Sequence, residues 1–456
     1  MPESDTKGIF ARQAVWMFLA RSLRLLAVLF AGVWVSRYLG PEGFGRFSYA
    51  LSFVALFSAI AHLGSDDILV REFIVRPEGV GTRTILGSSI ILRGCSGLTM
   101  AIVALVSGAV VAGPHVMPLI IVFVLAGFAE SLARVFEKYL EAHGLGRFLA
   151  CGQAVAGFLS VSATCWAITQ GAGIWFLAVT RGAESVALLI LLAIVSLRAL
   201  GGISFRVDTR FIGRVLRQSW PLAVTSVFVL LYMRIDQVML RHYMGEASVG
   251  HYSAAVRLVE VCFFVPMVLA NALFPAVLAV REDQGGLYRL RTQVLHDAML
   301  WLGLAVAIGM TLLARPMIVL VFGKEYRAAA PVLRYYAWCA PLVFVGIVRG
   351  KWLVSEQLNR WQLLFGGSAA FVNVALNCLL IPRLGMQGAA LATLSAQFTT
   401  VVVAPLAFSA VRPAALYAVR SASLIASGRR LLRFFLAHVA DGRRASTEQG
   451  SSSCND

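Results

Sequence analysis

Apolar residues arrive along this chain in runs of about 20 to 25, each long enough to cross a hydrocarbon core of roughly 30 Å as a helix. Short polar intervals separate the runs. Nothing follows the ten-residue alternation of an outer-membrane barrel. The pattern predicts an all-α integral membrane protein of about twelve spans, near 14–36, 44–64, 84–112, 116–136, 148–170, 174–197, 215–240, 250–280, 294–321, 331–354, 361–381 and 387–411. A polar interval at 199–213 divides them into a six-helix set over 14–198 and a second over 214–411. Residues 1–13 read as a polar N-terminus with no cleavable leader, because the apolar run after them leads straight into further spans. Residues 412–456 read as a basic tail.

Composition supports the same class. The 456 residues are 59% hydrophobic and 14% charged, and mean hydropathy is +0.78. A soluble chain carries roughly 25% charged residues. The net charge of +17 would suggest nucleic acid in a soluble protein. Here the arginines gather in alternate connections (Arg71, Arg76, Arg83, Arg147, Arg198, Arg206, Arg281, Arg289), which predicts both termini in the cytoplasm and no nucleic-acid partner. Arg134 and Lys138 fall in the same set of connections. Arg37, Arg46, Arg241, Lys324, Arg327 and Arg383 are the exceptions on the outer side. In the tail, Leu431, Leu432 and Phe434 sit among Arg429, Arg430 and Arg433. That spacing fits a segment lying on the membrane surface as well as a solvated tail.

The two sets of spans are related. A shift of 205 residues brings Tyr38 onto Tyr243, Gly40 onto Gly245, Gly45 onto Gly250, Ser48 onto Ser253 and Ala50 onto Ala255 without a gap. Six spans per repeat means both halves enter the membrane in the same sense, with a binding site expected between them near the midplane.

Ionisable residues inside spans each cost about 2.5–3.5 kcal/mol on insertion scales and call for partners or a cavity. Glu130 and Arg134, Arg181 and Glu184, and Arg257 and Glu260 have the spacing of one-face pairs. Arg234 and Asp236 do not face each other and each needs a partner elsewhere. Arg349 and Lys351 sit late in the tenth span, where snorkelling would satisfy them. Arg21, Arg24, Arg93, Arg181, Arg234 and Arg257 against Glu130, Glu184, Asp236 and Glu260 leave an excess of two positive charges. An arginine-lined cavity suits a phosphate or diphosphate that accepts bidentate contacts, which nominates Arg21, Arg24, Arg93, Arg234 and Arg257 as the anion site. Asp236 and Glu130 are the carboxylates nominated for ion coupling.

No catalytic residue, metal site or cofactor is indicated. The seven cysteines are scattered without a CxxC. No HExxH or DxD is present, and the nearest approach to a phosphate loop, Gly346 to Lys351, has the wrong spacing and ends in Trp352. The connections are too short for the periplasmic catalytic loop a polymerase or ligase needs. A cation-coupled multidrug exporter should line its cavity with acids, opposite to the surplus here.

Four stretches carry a family resemblance. They are Ser36-Arg37-Tyr38-Leu39-Gly40-Pro41-Glu42-Gly43-Phe44-Gly45-Arg46-Phe47-Ser48-Tyr49-Ala50, Arg234-Ile235-Asp236-Gln237 through Val249-Gly250-His251-Tyr252-Ser253-Ala254-Ala255, Phe322-Gly323-Lys324-Glu325-Tyr326, and Ile381-Pro382-Arg383-Leu384-Gly385-Met386-Gln387-Gly388. In order and spacing the sequence resembles the Wzx-type polysaccharide and O-antigen flippases of the multidrug/oligosaccharidyl-lipid/polysaccharide exporter superfamily. The resemblance implies two six-helix bundles in a V and a cationic cavity. It also implies export of an undecaprenyl-diphosphate-linked repeat unit across a bacterial inner membrane. Implied partners are that lipid-linked oligosaccharide, membrane lipids and other polysaccharide-assembly membrane proteins. The tail lacks two further clear spans, unlike the fourteen-span lipid II flippases.

Overall fold

A computed structural model describes residues 3–75, 81–200, 206–281 and 285–433, with side chains from Phe30 onward. Arg21 and Arg24 therefore lie outside the described side chains. The described residues are helical throughout, without a strand. The first half comprises α1 (Glu3–His62), α2 (Asp66–Val75), α3 (Thr82–Val111), α4 (Met117–Ala142), α5 (Gly146–Thr169) and α6 (Ile174–Ala199). Then come α7 (Thr209–Met244), α8 (Glu246–Cys262), α9 (Phe264–Leu278), α10 (Gly285–Leu312), α11 (Ala314–Phe322), α12 (Ala329–Tyr336) and α13 (Cys339–Ser355). The chain closes with α14 (Arg360–Leu384), α15 (Met386–Phe398), a π turn at Thr399–Val403, α16 (Ala404–Leu406), α17 (Arg412–Ala422) and a helix, α18, over residues 424–433.

Among the described residues, 10 helices are long and apolar enough to cross a membrane, or 11 when the bent pair Lys324–Tyr336 and Cys339–Ser355 is taken as one span. The protein is a multi-pass membrane protein. The first expected span falls largely on residues 3–29, whose side chains are not described.

Spans one and two form a single α1 with a break at Gly40 (φ 66°, ψ 178°) ahead of Pro41. The repeat places the same break at Gly245 (φ 82°, ψ −178°) between α7 and α8. That region of backbone space is essentially closed to residues with a Cβ. Gly323 and Gly385 make the corresponding turns before α12 and α15. All four turns lie at one end of the bundle, the distal end. The turns at 63–65 and 143–145 lie at the other, the terminal end.

Packing draws the boundary between halves inside α7. Phe211 and Val215 are buried in the first half's core with Leu69, Phe73, Leu140 and Leu192. Asp208 caps α7 by accepting from the Arg210 N–H, and its own N–H donates to Ser88 Oγ. Beyond Pro221 the helix belongs to the second half, where Tyr232 packs with Ala369, Ala370 and Ala396.

Candidate functional site

A cavity of about 700 Å³ lies between the halves. Four positions of α1 line it (Ser48, Leu51, Ser52 and Ala55), facing four of α8 (Ser253, Val256, Arg257 and Glu260). The 205-residue shift superposes the two sets one to one. The repeat read from the distal hairpin thus continues down both walls. Its two copies differ in chemistry: α1 supplies small residues where α8 carries Arg257 and Glu260. One helix leaves the room that the charges of its mate occupy.

The distal end of the cavity is shut. The helices cross at Gly45 and Gly250, where a Cβ at Gly45 would collide with the Glu246 carbonyl oxygen and one at Gly250 with that of Pro41. Such close approach is the use that glycine serves at helix crossings in membranes. Charges latch the same end across the halves. Arg46 pairs with Glu246 and with Glu42 (2.6 Å), while Arg241 reaches Glu246 (3.4 Å) and lies 4.3 Å over the Tyr49 ring. Arg37 donates to the Leu320 carbonyl and to that of Val321 (2.7 Å), and Tyr326 donates to the Ser36 carbonyl (2.8 Å). Three exceptions to the charge asymmetry, Arg37, Arg46 and Arg241, are accounted for by these contacts.

Toward the terminal end the lining continues through Arg134, Glu137, Lys138, Gln153, Phe264 and Met267. Its depth, from Ser253 to Met267, is about 20 Å at helical rise. Four cations line it (Arg134, Lys138, Arg234 and Arg257) against two carboxylates (Glu137 and Glu260). The lining thus carries two more cations than carboxylates, and only Arg234 and Arg257 among them are nominated from the sequence. Arg134 and Lys138 belong to the wall because α4 runs on to Ala142 as helix. Their spacing from Glu130 and Glu141, one face at i, i+4 and i, i+3, was the signal that the helix continued.

Arg257 is the central cation. Its guanidinium sits 4.6 Å over the Phe44 ring and against Gly32, where any side chain would displace it. It also borders a smaller recess with Thr164, Arg181 and Glu184. The expected Arg257–Glu260 pair is not the one formed. Glu260 pairs with Arg234 (3.4 Å), so no carboxylate within ion-pair distance neutralises Arg257 among the described residues. The one-face pairs of Glu130 with Arg134 (3.2 Å) and of Arg181 with Glu184 do form.

Arg93 is not part of the cavity wall. It is fully buried between α3 and α2, paired with Asp66 and donating to the Ala61 carbonyl (3.1 Å). Asp66 also takes Arg134 (3.4 Å), so this cluster positions a cavity residue from behind. Removing one partner of a buried pair costs about 3–5 kcal/mol. Arg93→Ala is therefore expected to lower the thermal midpoint of the detergent-solubilised protein by several degrees, read by a melting curve. Arg349 also departs from expectation. It turns inward rather than snorkelling, donating to the Thr400 carbonyl at the π turn and lying 5.3 Å over Phe365.

Asp236 is buried behind the cavity wall, in a chain of polar groups inside the second half. It accepts from Tyr252 Oη, from the Gln237 N–H (2.8 Å) and from Thr393 Oγ1 (3.4 Å). Thr393 accepts from Asn373 (3.3 Å), which accepts from Asn377 (2.9 Å). Gln237 Oε1 takes Ser253 (3.1 Å) and, across the halves, Ser52 (2.6 Å). Among the described residues no group of three or more His, Cys, Asp or Glu side chains is placed to hold a metal ion.

Comparison with solved structures places this architecture. The lipid II flippase MurJ in an inward closed conformation is similar with a TM-score of 0.68 at 16% identity, covering 94% of this chain and 93% of that one. An inward-facing multidrug resistance MATE family transporter gives 0.61 at 15% identity, covering 89% and 95%. A multidrug/oligosaccharidyl-lipid/polysaccharide superfamily transporter from Pyrococcus furiosus, whose binding pocket is described as reversed in polarity, gives 0.58 at 15% identity, covering 92% and 96%. By sequence, a probable low-salt glycan biosynthesis flippase of Haloferax volcanii is 26% identical over 174 residues, 37% of this chain and 36% of that protein's length. The match spans about a third of that relative. The MatE model covers residues 221–379. The polysaccharide biosynthesis protein model covers residues 10–280, more than half of the chain, and the chain belongs to that family of membrane transporters.

Proposed function

We propose that this transporter flips a lipid-linked oligosaccharide, an undecaprenyl-diphosphate repeat unit, from the cytoplasmic to the periplasmic leaflet of a bacterial inner membrane. In this reading both termini are cytoplasmic and the terminal end is the inner one. The observation that carries it is the inter-half cavity, closed at the distal end and lined by four cations against two carboxylates. The diphosphate enters from the inner leaflet and pairs with Arg257, with Arg134, Lys138 and Arg234 around it. Arg21 and Arg24 are proposed to join this set. The sugars occupy the cavity and the prenyl chain stays in lipid. No covalent bond is made or broken.

Outward movement of a dianion against an inside-negative potential is downhill by about 2.3 kcal/mol per charge per 100 mV. Ion exchange offers a second drive. Asp236 is the carboxylate proposed for it, because its neighbours Tyr252, Thr393 and Asn373 supply oxygens deep in the second half. Glu130 is the lesser candidate, being paired with Arg134.

The test is protein-dependent movement of a lipid-diphosphate oligosaccharide in proteoliposomes, with an imposed potential of either sign. Faster flipping when the compartment facing the terminal end is negative is the expected result. Transport of a cationic dye without flipping would overturn the reading in favour of a multidrug exporter.

A further inference from the structure

The chain after the last span is built into the second half rather than trailing from it. Asp297 of α10 is fully buried and accepts a two-pronged contact from Arg430 of α18 (Nε 2.8 Å, Nη2 3.0 Å), together with Ser421 Oγ of α17 (2.6 Å). Gln293 donates to the Tyr417 carbonyl (3.1 Å), and Trp301 Nε1 donates to Ser427 Oγ (3.0 Å). One face of α17 and α18 is thereby fixed against α10.

The opposite face is exposed and has a particular composition. On α17 it shows Arg412, Leu416, Val419 and Arg420. On α18 it shows Ile425, Arg429, Leu432 and Arg433. No Asp or Glu occurs between Glu356 and Asp441, so neither α17 nor α18 carries an acid of its own. Arg430, the one arginine of α18 with a carboxylate partner among the described residues, is spent on docking. Arg429, Arg430 and Arg433 rim a recess of about 360 Å³ whose other wall is Ile425, Ala426 and Ser423.

Trp301, against which α18 docks, is a residue type enriched at membrane–water interfaces.

We propose that α17 and α18 form a binding site for anionic phospholipid of the inner leaflet. Arg429 and Arg433 take the headgroup phosphate, and Ile425 and Leu432 lie along the acyl chains. An anionic lipid satisfies both halves of this face, the guanidinium groups of Arg429 and Arg433, which have no carboxylate partner among the described residues, and the exposed aliphatic side chains beside them. Docking through Asp297 ties the site to α10 of the second half.

The experiment uses the full chain in vesicles of phosphatidylcholine with trace spin-labelled phosphatidylglycerol or phosphatidylcholine, reading the motionally restricted fraction. The parent is expected to prefer phosphatidylglycerol. The R429Q/R433Q variant should lose roughly tenfold of that preference, from the worth of two arginines near an anionic surface reduced by screening. Its melting curve should match the parent's, because Arg430 and Asp297 are untouched. Inorganic phosphate should displace no more labelled lipid than chloride at equal ionic strength. An unchanged preference in R429Q/R433Q overturns the proposal. So does displacement by inorganic phosphate, which would make this a soluble-anion site. A parent with no preference also overturns it and would leave the face to an acidic protein segment. None of these readings depends on transport, so failure here and failure of the flippase reading are distinguishable.

Discussion

Arg257→Ala should cut flipping of a lipid-diphosphate oligosaccharide in proteoliposomes by roughly 10- to 100-fold, with little change in thermal stability. Hydrogen bonds to charged groups are worth about 1.5–3 kcal/mol, and a factor of ten corresponds to about 1.4. A guanidinium with no carboxylate partner among the described residues has that interaction to give to a substrate. Stability is spared because, among the described residues, the group forms no ion pair and contributes mainly its stacking on Phe44. Arg257→Lys should recover part of the rate, since an ammonium keeps the charge but not the fork. Gly32→Val gives an independent check: it leaves the arginine in place and fills the space its guanidinium occupies. Loss of flipping in Gly32→Val with a normal melting curve would show that position, not charge alone, matters. Full activity in both Arg257→Ala and Gly32→Val would reduce Arg257 to a packing residue.

Gly250→Leu should hold the distal end open. The crossing with α1 leaves no volume at this position, and overpacking of a close-packed site costs about 1–3 kcal/mol, more when the clash is with backbone. A penalty of about 3 kcal/mol on the closed state alone shifts the balance between states roughly a hundredfold. Ser48→Cys, at the cavity floor, should then react with a membrane-impermeant maleimide added on the distal side. The same cysteine should be protected when Gly250 is kept. Gly45→Leu should behave alike, as the repeat relates the two positions. Flipping should fall in both, because alternation needs each end to close in turn. Protection that persists in Gly250→Leu would mean the distal seal rests on the Arg46–Glu246 latch instead.

Much of this was legible in the sequence because the membrane imposes it. In hydrocarbon every backbone polar group must be satisfied within its own segment, so long apolar runs can only be helices. Helical class and approximate spans follow from that constraint alone. The glycines were legible too: Gly40 and Gly245 mark turns that residues with a Cβ essentially never adopt, so their register exposed the repeat before any packing was known. Charge pairs at i, i+3 and i, i+4 were half legible. Glu130–Arg134 and Arg181–Glu184 form as spaced, whereas Arg257 and Glu260 share a face without pairing.

Tertiary structure decided which charges face the cavity. Position along a helix fixes a side chain's direction only relative to that helix, and the neighbour determines whether the direction means lipid, cavity or core. In sequence Arg93 had no acid at helical spacing, whereas Arg257 had Glu260, and the contacts between helices reverse the two. Asp66, 27 residues away on another helix, makes the first a buried strut, while Arg234, 23 residues away, takes the acid that would have neutralised the second. Long-range pairing of this kind leaves no periodic trace. Helical class, the hairpin glycines and the repeat follow from local pattern, whereas the site follows from contacts between helices.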